Sequence, residues 1–243
     1  MRTLQTTLAM FVFLGGGLAL LTTAWADEVS ESAHDHEHAH PETGRKPANV
    51  MSFQGAEWLE RPERIDEERP DEVIAAMNLK DGDIVADIGV GSGFFARRIA
   101  RKVGPGGKVF GVDIQPEMLD ILKDLCAKEA VENVIPVLGA EADPKLPENA
   151  IDWVLLVDTY HEFQDPQPML AKIKTCLKET GKVALLEYRL EGETAKHIKE
   201  DHRMSVRQVL AEWNAAGFEL VDLMEFLPSQ HFFVFAKDPD RNE

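Results

Sequence analysis

The chain is poor in cysteine, poor in basic residues relative to acidic ones, and has no apolar run of bilayer-spanning length. Its 243 residues hold two cysteines, and 26 Lys and Arg stand against 43 Asp and Glu, a formal net charge of −17. Polyanion binding depends on cationic side chains that neutralise phosphates, so a nucleic-acid partner is not expected. The same charge disfavours docking on anionic lipid. The longest mostly apolar stretch, residues 8–21, falls short of the roughly 20 residues a membrane helix needs. No internal repeat is visible.

That stretch follows Arg2 and precedes Ala24-Trp25-Ala26, a positive start, an apolar middle and a small-residue cleavage site. The pattern predicts a secretory signal peptide over residues 1–26, cleaved after Ala26, and an exported, periplasmic protein with no stable membrane insertion. The alternative is an uncleaved anchor. Residues 27–50 are polar, acidic and poor in large apolar side chains, and are read as a disordered linker. They contain His34, His36, His38 and His40 alternating with acids and an alanine. Such a tract can bind zinc, copper or nickel, but its composition fits a solvated spacer better. No metal ligand is assigned in the domain that follows.

Residues 51–243, about 190 of them, are one domain's worth. Strands are expected at 84–88, 108–112, 134–138, 151–157 and 182–187, with helices at 70–77, 93–102, 116–130 and 166–177 between them. A helix at 206–216 and two strands at 219–226 and 231–236 close the chain. Only four residues link that last pair, which demands an antiparallel arrangement. Cys126 and Cys176 fall on helices expected to cover opposite faces of the sheet, too far apart for a disulfide. Two free, buried thiols are predicted.

The informative stretch is Val85-Ala86-Asp87-Ile88-Gly89-Val90-Gly91-Ser92-Gly93. A buried strand ends near a carboxylate, and alternating glycines open a helix. This builds a nucleotide-sized notch at the C-terminal edge of a parallel sheet. A dinucleotide fingerprint needs G-x-G-x-x-G, and Phe94 occupies the third glycine's position. Asp87 would also repel a pyrophosphate at short range, whereas it suits a ligand carrying an ammonium group and no phosphate. A nicotinamide-dependent dehydrogenase therefore ranks low.

The order of parts resembles a class I S-adenosylmethionine (SAM)-dependent methyltransferase over about residues 52–240. The resemblance rests on VADIGVGSGFFA at 85–96, PGGKVFGVDIQPEML at 105–119 and LPENAIDWVLLVDTYHEF at 146–163. Within that class the chain is similar to the ubiquinone/menaquinone and arsenite types and to exported bacterial homologues. The resemblance implies a Rossmann-like α/β fold: a doubly wound, seven-stranded, mostly parallel sheet with an antiparallel C-terminal hairpin. It implies SAM as the methyl donor and a small or medium-sized molecule as acceptor. The alternative is an exported, non-catalytic ligand- or metal-binding protein on the same scaffold.

The cofactor-binding residues expected on this reading are Asp87, Gly89, Gly91, Gly93, Asp113, Ile114, Glu141, Asp143 and Asp158. Gly89, Gly91 and Gly93 let the backbone approach the ligand. Asp87 faces the methionine amino group. Asp113, ending the second strand, accepts the ribose hydroxyls. Ile114 and Met118 either flank the adenine or pack in the core. The class usually places an acid after the third strand toward the adenine amino group; the usual slot holds Ala140, so Glu141 is preferred and Asp143 is second. Asp158 leaves the fourth strand beside cofactor or acceptor. His161 is the candidate catalytic base, since an imidazole titrates near neutrality. Glu187, Tyr188 and Arg189, and beyond them His197, His202 and Arg203, are further acceptor-side candidates, though an exposed charged connector explains the last three better.

Overall fold

The computed structural model describes residues 39–241. The expected signal peptide, and the linker as far as His38, lie outside the described residues. Among the described residues no helix is long and apolar enough to cross a membrane.

Strands β1 (Ile84–Ile88), β2 (Lys108–Asp113), β3 (Val134–Leu138), β4 (Ile151–Val157) and β5 (Leu177–Arg189) form a parallel array. The two-residue β6 (Arg203–Met204) pairs with the end of β5. Strands β7 (Phe218–Met224) and β8 (Gln230–Lys237) form the C-terminal hairpin, and β8 runs antiparallel to β5. The order is β3-β2-β1-β4-β5-β8-β7. The expected seven-stranded path is present, and β6 is added to it. Two residues carry no readable period, so β6 leaves no mark in the sequence. β5 starts at Leu177, five residues before the expected strand, because Leu177 already pairs with Ile151 ahead of a register shift.

The core is split by the sheet. Alternate residues of each strand point to opposite faces, so Val85 and Leu155 belong to one apolar cluster and Ala86, Val154 and Leu156 to the other. Helices α2 (Pro70–Met77), α3 (Phe94–Val103) and α4 (Pro116–Lys128) pack on the first face. Helices α5 (Pro166–Cys176) and α6 (Val206–Ala215) pack on the second. There Trp213 is fully buried and stacks on Phe235 at 4.6 Å between centroids. Truncating such a side chain to alanine costs about 3–5 kcal/mol. Cys126 lies in the first cluster and Cys176 in the second, and both are free, as the helix placement requires. Pro136 sits in β3, an edge strand, where a missing amide donor is tolerated.

Residues 39–50 correct the linker expectation. His40, Arg45 and Ala48 are buried against the domain. The Arg45 guanidinium donates from Nε and Nη2 to the two carboxylate oxygens of buried Glu212 on α6, each at 3.1 Å, and from Nη1 to the His161 carbonyl at 2.9 Å. Tyr160 Oη and Thr43 Oγ1 donate to the same carboxylate. The segment is held by a buried ion pair rather than by apolar area, so composition conceals it. Another short helix, α1 (Arg64–Glu68), precedes α2.

Candidate functional site

A cavity of about 420 Å³ opens at the C-terminal ends of β1, β2 and β4, with a lining that is mostly apolar. This is the expected place for a ligand in an open α/β sheet.

Three positive-φ glycines turn the chain out of β1. At Gly89 (φ 75°) a Cβ would collide with the Thr159 side chain, and at Gly93 (φ 85°) with Leu122. The amides of Gly89 and Val90 donate to the Val112 carbonyl at 2.9 Å each, which binds the loop to β2. Gly89 and Gly91 line the cavity. Gly93 does not: it caps α3 against α4, so its requirement is one of packing.

Asp113 ends β2. Its Oδ2 accepts from the Gly91 amide at 3.0 Å and its Oδ1 from the Gln115 amide at 2.9 Å. An ionised carboxylate has about four acceptor positions, so acceptor capacity remains for a ligand. Burial raises its pKa, against the opposing pull of those amides and that of Ile114. Asp87 is buried and pushed up to about 7 by desolvation, with Arg64 as the main opposing charge. Ile114 is exposed and Met118 buried, and both line the cavity, as does Glu141. Asp143 does not reach it. Its carboxylate accepts from the Lys145 amide and ammonium at 2.8 Å each, which closes a turn instead. Of the two competing acids, Glu141 is the one at the cavity.

Asp158 lines the cavity in a left-handed conformation (φ 48°). A non-glycine residue held there is strained, a condition that clusters at functional sites. Gln230 Nε2 donates to its Oδ2 at 2.7 Å, and its buried Oδ1 has no partner. Burial, then the charges of Glu68 and Glu187, raise its pKa well above the carboxylate range. Glu68, also in the lining, has an unpartnered buried oxygen of its own.

His161 lies beside them. Its Nδ1 is 2.6 Å from Oε2 of the fully buried Glu187, whose Oε1 accepts from the Tyr160 amide at 2.9 Å. Burial works to lower the histidine's pKa, but the Glu187 charge and hydrogen bond, helped by Glu162, outweigh it and the net shift is upward. Glu162 is pushed up to about 7, chiefly by burial. Tyr188 and His202 also line the cavity. Arg189, His197 and Arg203 do not. Arg189 instead ties the β7–β8 turn, donating to the Leu227 carbonyl at 3.0 Å and to Glu225 at 2.8 Å.

The roof of the cavity comes from residues 50–68, whose part in the site sequence reasoning missed. Met51, Trp58, Leu59 and Arg64 line it. Gln115 fastens the roof: its Oε1 accepts from the Phe53 amide and its Nε2 donates to the Met51 carbonyl, both at 2.9 Å. The Met51 amide donates to Glu162 Oε1 at 3.1 Å. No local signal in the sequence marks these long-range clasps.

Residues 79–226 match the family described as "Methyltransferase domain". The chain is similar to the ubiquinone/menaquinone biosynthesis C-methyltransferase UbiE of Cupriavidus metallidurans, 31% identical over 115 residues, which are 47% of each chain. It thus spans about half the length of the curated relatives it matches. Among solved structures, a SAM-dependent methyltransferase from Aquifex aeolicus superposes with a TM-score of 0.72 at 25% identity, covering 76% of this chain and 98% of that one. The [4+2]-cyclase SpnF shares the fold with a TM-score of 0.57 at 22% identity, over 65% of this chain and 58% of that one. The fold alone therefore does not fix the reaction.

Proposed function

The chain belongs to the methyltransferase domain family, and on that premise we propose that it transfers the methyl group of SAM to a small or medium-sized acceptor. The observation that carries the reading is the pairing of Asp87 and Asp113 at adjacent strand tips around one cavity. The residues fit the donor. Asp113 keeps acceptor positions for ribose hydroxyls, Asp87 offers a carboxylate to an ammonium group, and Glu141 lies at the rim on the adenine side. The partnerless oxygens of Asp158 and Glu68 favour a ligand that brings positive charge or donors.

SAM supplies an electrophilic methyl group on sulfur. The protein's share is to align an acceptor with it and to exclude water, which the roof over the cavity supports. His161 stands at the acceptor end. Glu187 occupies its Nδ1, so Nε2 is the atom available to take an acceptor proton. Export to the periplasm is part of the same reading and rests on Arg2, the apolar run and Ala24 to Ala26. The acidic balance supports a small-molecule acceptor over nucleic acid.

Titration calorimetry with SAM and with S-adenosylhomocysteine tests the proposal. Micromolar binding of either is expected; heat from neither would end it.

A further inference from the structure

His161, Glu162 and His202 come from two elements some forty positions apart, yet their donor atoms lie within 4.8 Å of one another. In both histidines Nδ1 is taken by a carboxylate: Glu187 Oε2 at 2.6 Å from His161, and Asp201 Oδ1 at 2.7 Å from His202. A carboxylate on Nδ1 holds that proton in place and leaves the Nε2 lone pair to ligate, the arrangement that surrounds metal-bound histidines. The two rings stand 5.1 Å apart between centroids. Glu162 engages the Met51 amide through Oε1, and its second oxygen remains for an ion.

We propose that these three side chains bind one divalent first-row transition metal ion through two imidazole Nε2 atoms and one carboxylate oxygen. Imidazole and carboxylate suit zinc, iron(II), cobalt(II) and manganese(II) over calcium and magnesium, which prefer all-oxygen sets. Ligands about 2.0–2.2 Å from a shared ion stand roughly 3–3.5 Å apart, so the widest separation must close by up to about 1.5 Å. His202 can supply that movement: it ends a three-residue turn, and its side chain is 29% exposed. Three protein ligands leave coordination positions open, as in catalytic rather than structural sites. All three residues line the cavity shared by Asp87 and Asp113. The open positions therefore suit an acceptor with an ionisable oxygen, a clause that rests on the methyl-transfer reading; metal binding itself does not. With the ion in place His161 Nε2 is a ligand in place of the base, and an acceptor oxygen that binds the ion releases its proton to solvent on entry, before the cavity closes over it.

The test is cobalt(II) titration of the full chain with His34, His36 and His38 replaced by serine, so that the N-terminal tract does not compete. Uptake of one cobalt per chain with visible d–d absorption, displaced by zinc, is expected. His202→Ala and Glu162→Gln should each weaken uptake at least a hundredfold. Asp201→Asn, which only unseats the His202 ring, should weaken it about 10- to 100-fold. Absence of stoichiometric uptake overturns the site, and so does uptake that His202→Ala leaves unchanged while its melting temperature matches the parent. SAM calorimetry on the same samples separates the two ideas. Cobalt uptake without SAM binding keeps the metal site and removes only the acceptor clause.

Discussion

Asp113 Oδ2 accepts the Gly91 amide at 3.0 Å, which ties the tip of β2 to the glycine bend after β1. The carboxylate both shapes the loop and lines the cavity. Asp113→Ala is expected to weaken SAM binding by roughly 10²–10⁴, from two charge-assisted hydrogen bonds of about 1.5–3 kcal/mol each. Asp113→Asn should fall between the two. Calorimetry gives the affinities and circular dichroism checks the fold; an unchanged Kd would remove Asp113 from the ligand site.

Asp87 makes both stability and ligand affinity depend on pH. Its carboxyl is pushed up to about 7 by burial, while an unfolded aspartate titrates near 3.9. Between those values the folded chain holds a proton that the unfolded chain has released. The stability it contributes is thus fully present below about pH 4 and is lost as pH rises through about 7, on the order of 4 kcal/mol in all. Asp87→Asn should flatten that part of the stability profile. Binding of an ammonium group needs the carboxylate form. SAM affinity should therefore fall about tenfold per pH unit below 7 in the parent and lose that slope in Asp87→Asn, as calorimetry at several pH values will read.

Arg45 and Glu212 hold the first described segment onto α6. Glu212→Ala strands a buried guanidinium and the Tyr160 hydroxyl, a loss of about 3–5 kcal/mol. For a domain of this size that is a drop in melting temperature on the order of 6–20 °C. Removal of residues 39–50 from the chain should also lower it. Differential scanning calorimetry decides; a shift of a degree or less would mean the contacts are not formed in solution.

Cys126 and Cys176 sit on opposite faces of the sheet, and burial raises the pKa of each, that of Cys176 to about 12. Both should resist thiol reagents in the folded protein and react fully after denaturation without reductant. Fewer than two thiols in that titration would contradict the separation.

The part of the cavity proposed for the cofactor was legible because its code is local. Asp87, Gly89 and Gly91 fall within five residues at the end of one strand, and Asp113 ends the next. The part proposed for the acceptor was not, because its partners meet only through the fold: Glu187 with His161, His202 with His161 and Glu162, Gln115 with Met51 and Phe53. Sequence offered each of those histidines singly, and nothing in their spacing says they converge. Asp143 shows the converse error: an acid at a plausible position whose nearest donor is its own neighbour Lys145. Residues 39–50 were misread for a thermodynamic reason. Disorder is inferred from scarce apolar surface, and this segment is secured by one buried pair of opposite charges instead.

The roof has a consequence for how the protein can change. Its residues precede β1, and no strand pairing involves them. Substitutions at its cavity-lining positions are expected to reshape the cavity while the strand registers stay as they are. On the methyl-transfer reading, new acceptor preferences can be sought by varying the cavity-facing Met51, Trp58 and Leu59 while keeping the Arg64–Glu68 and Arg97–Glu60 pairs that tie the stretch down.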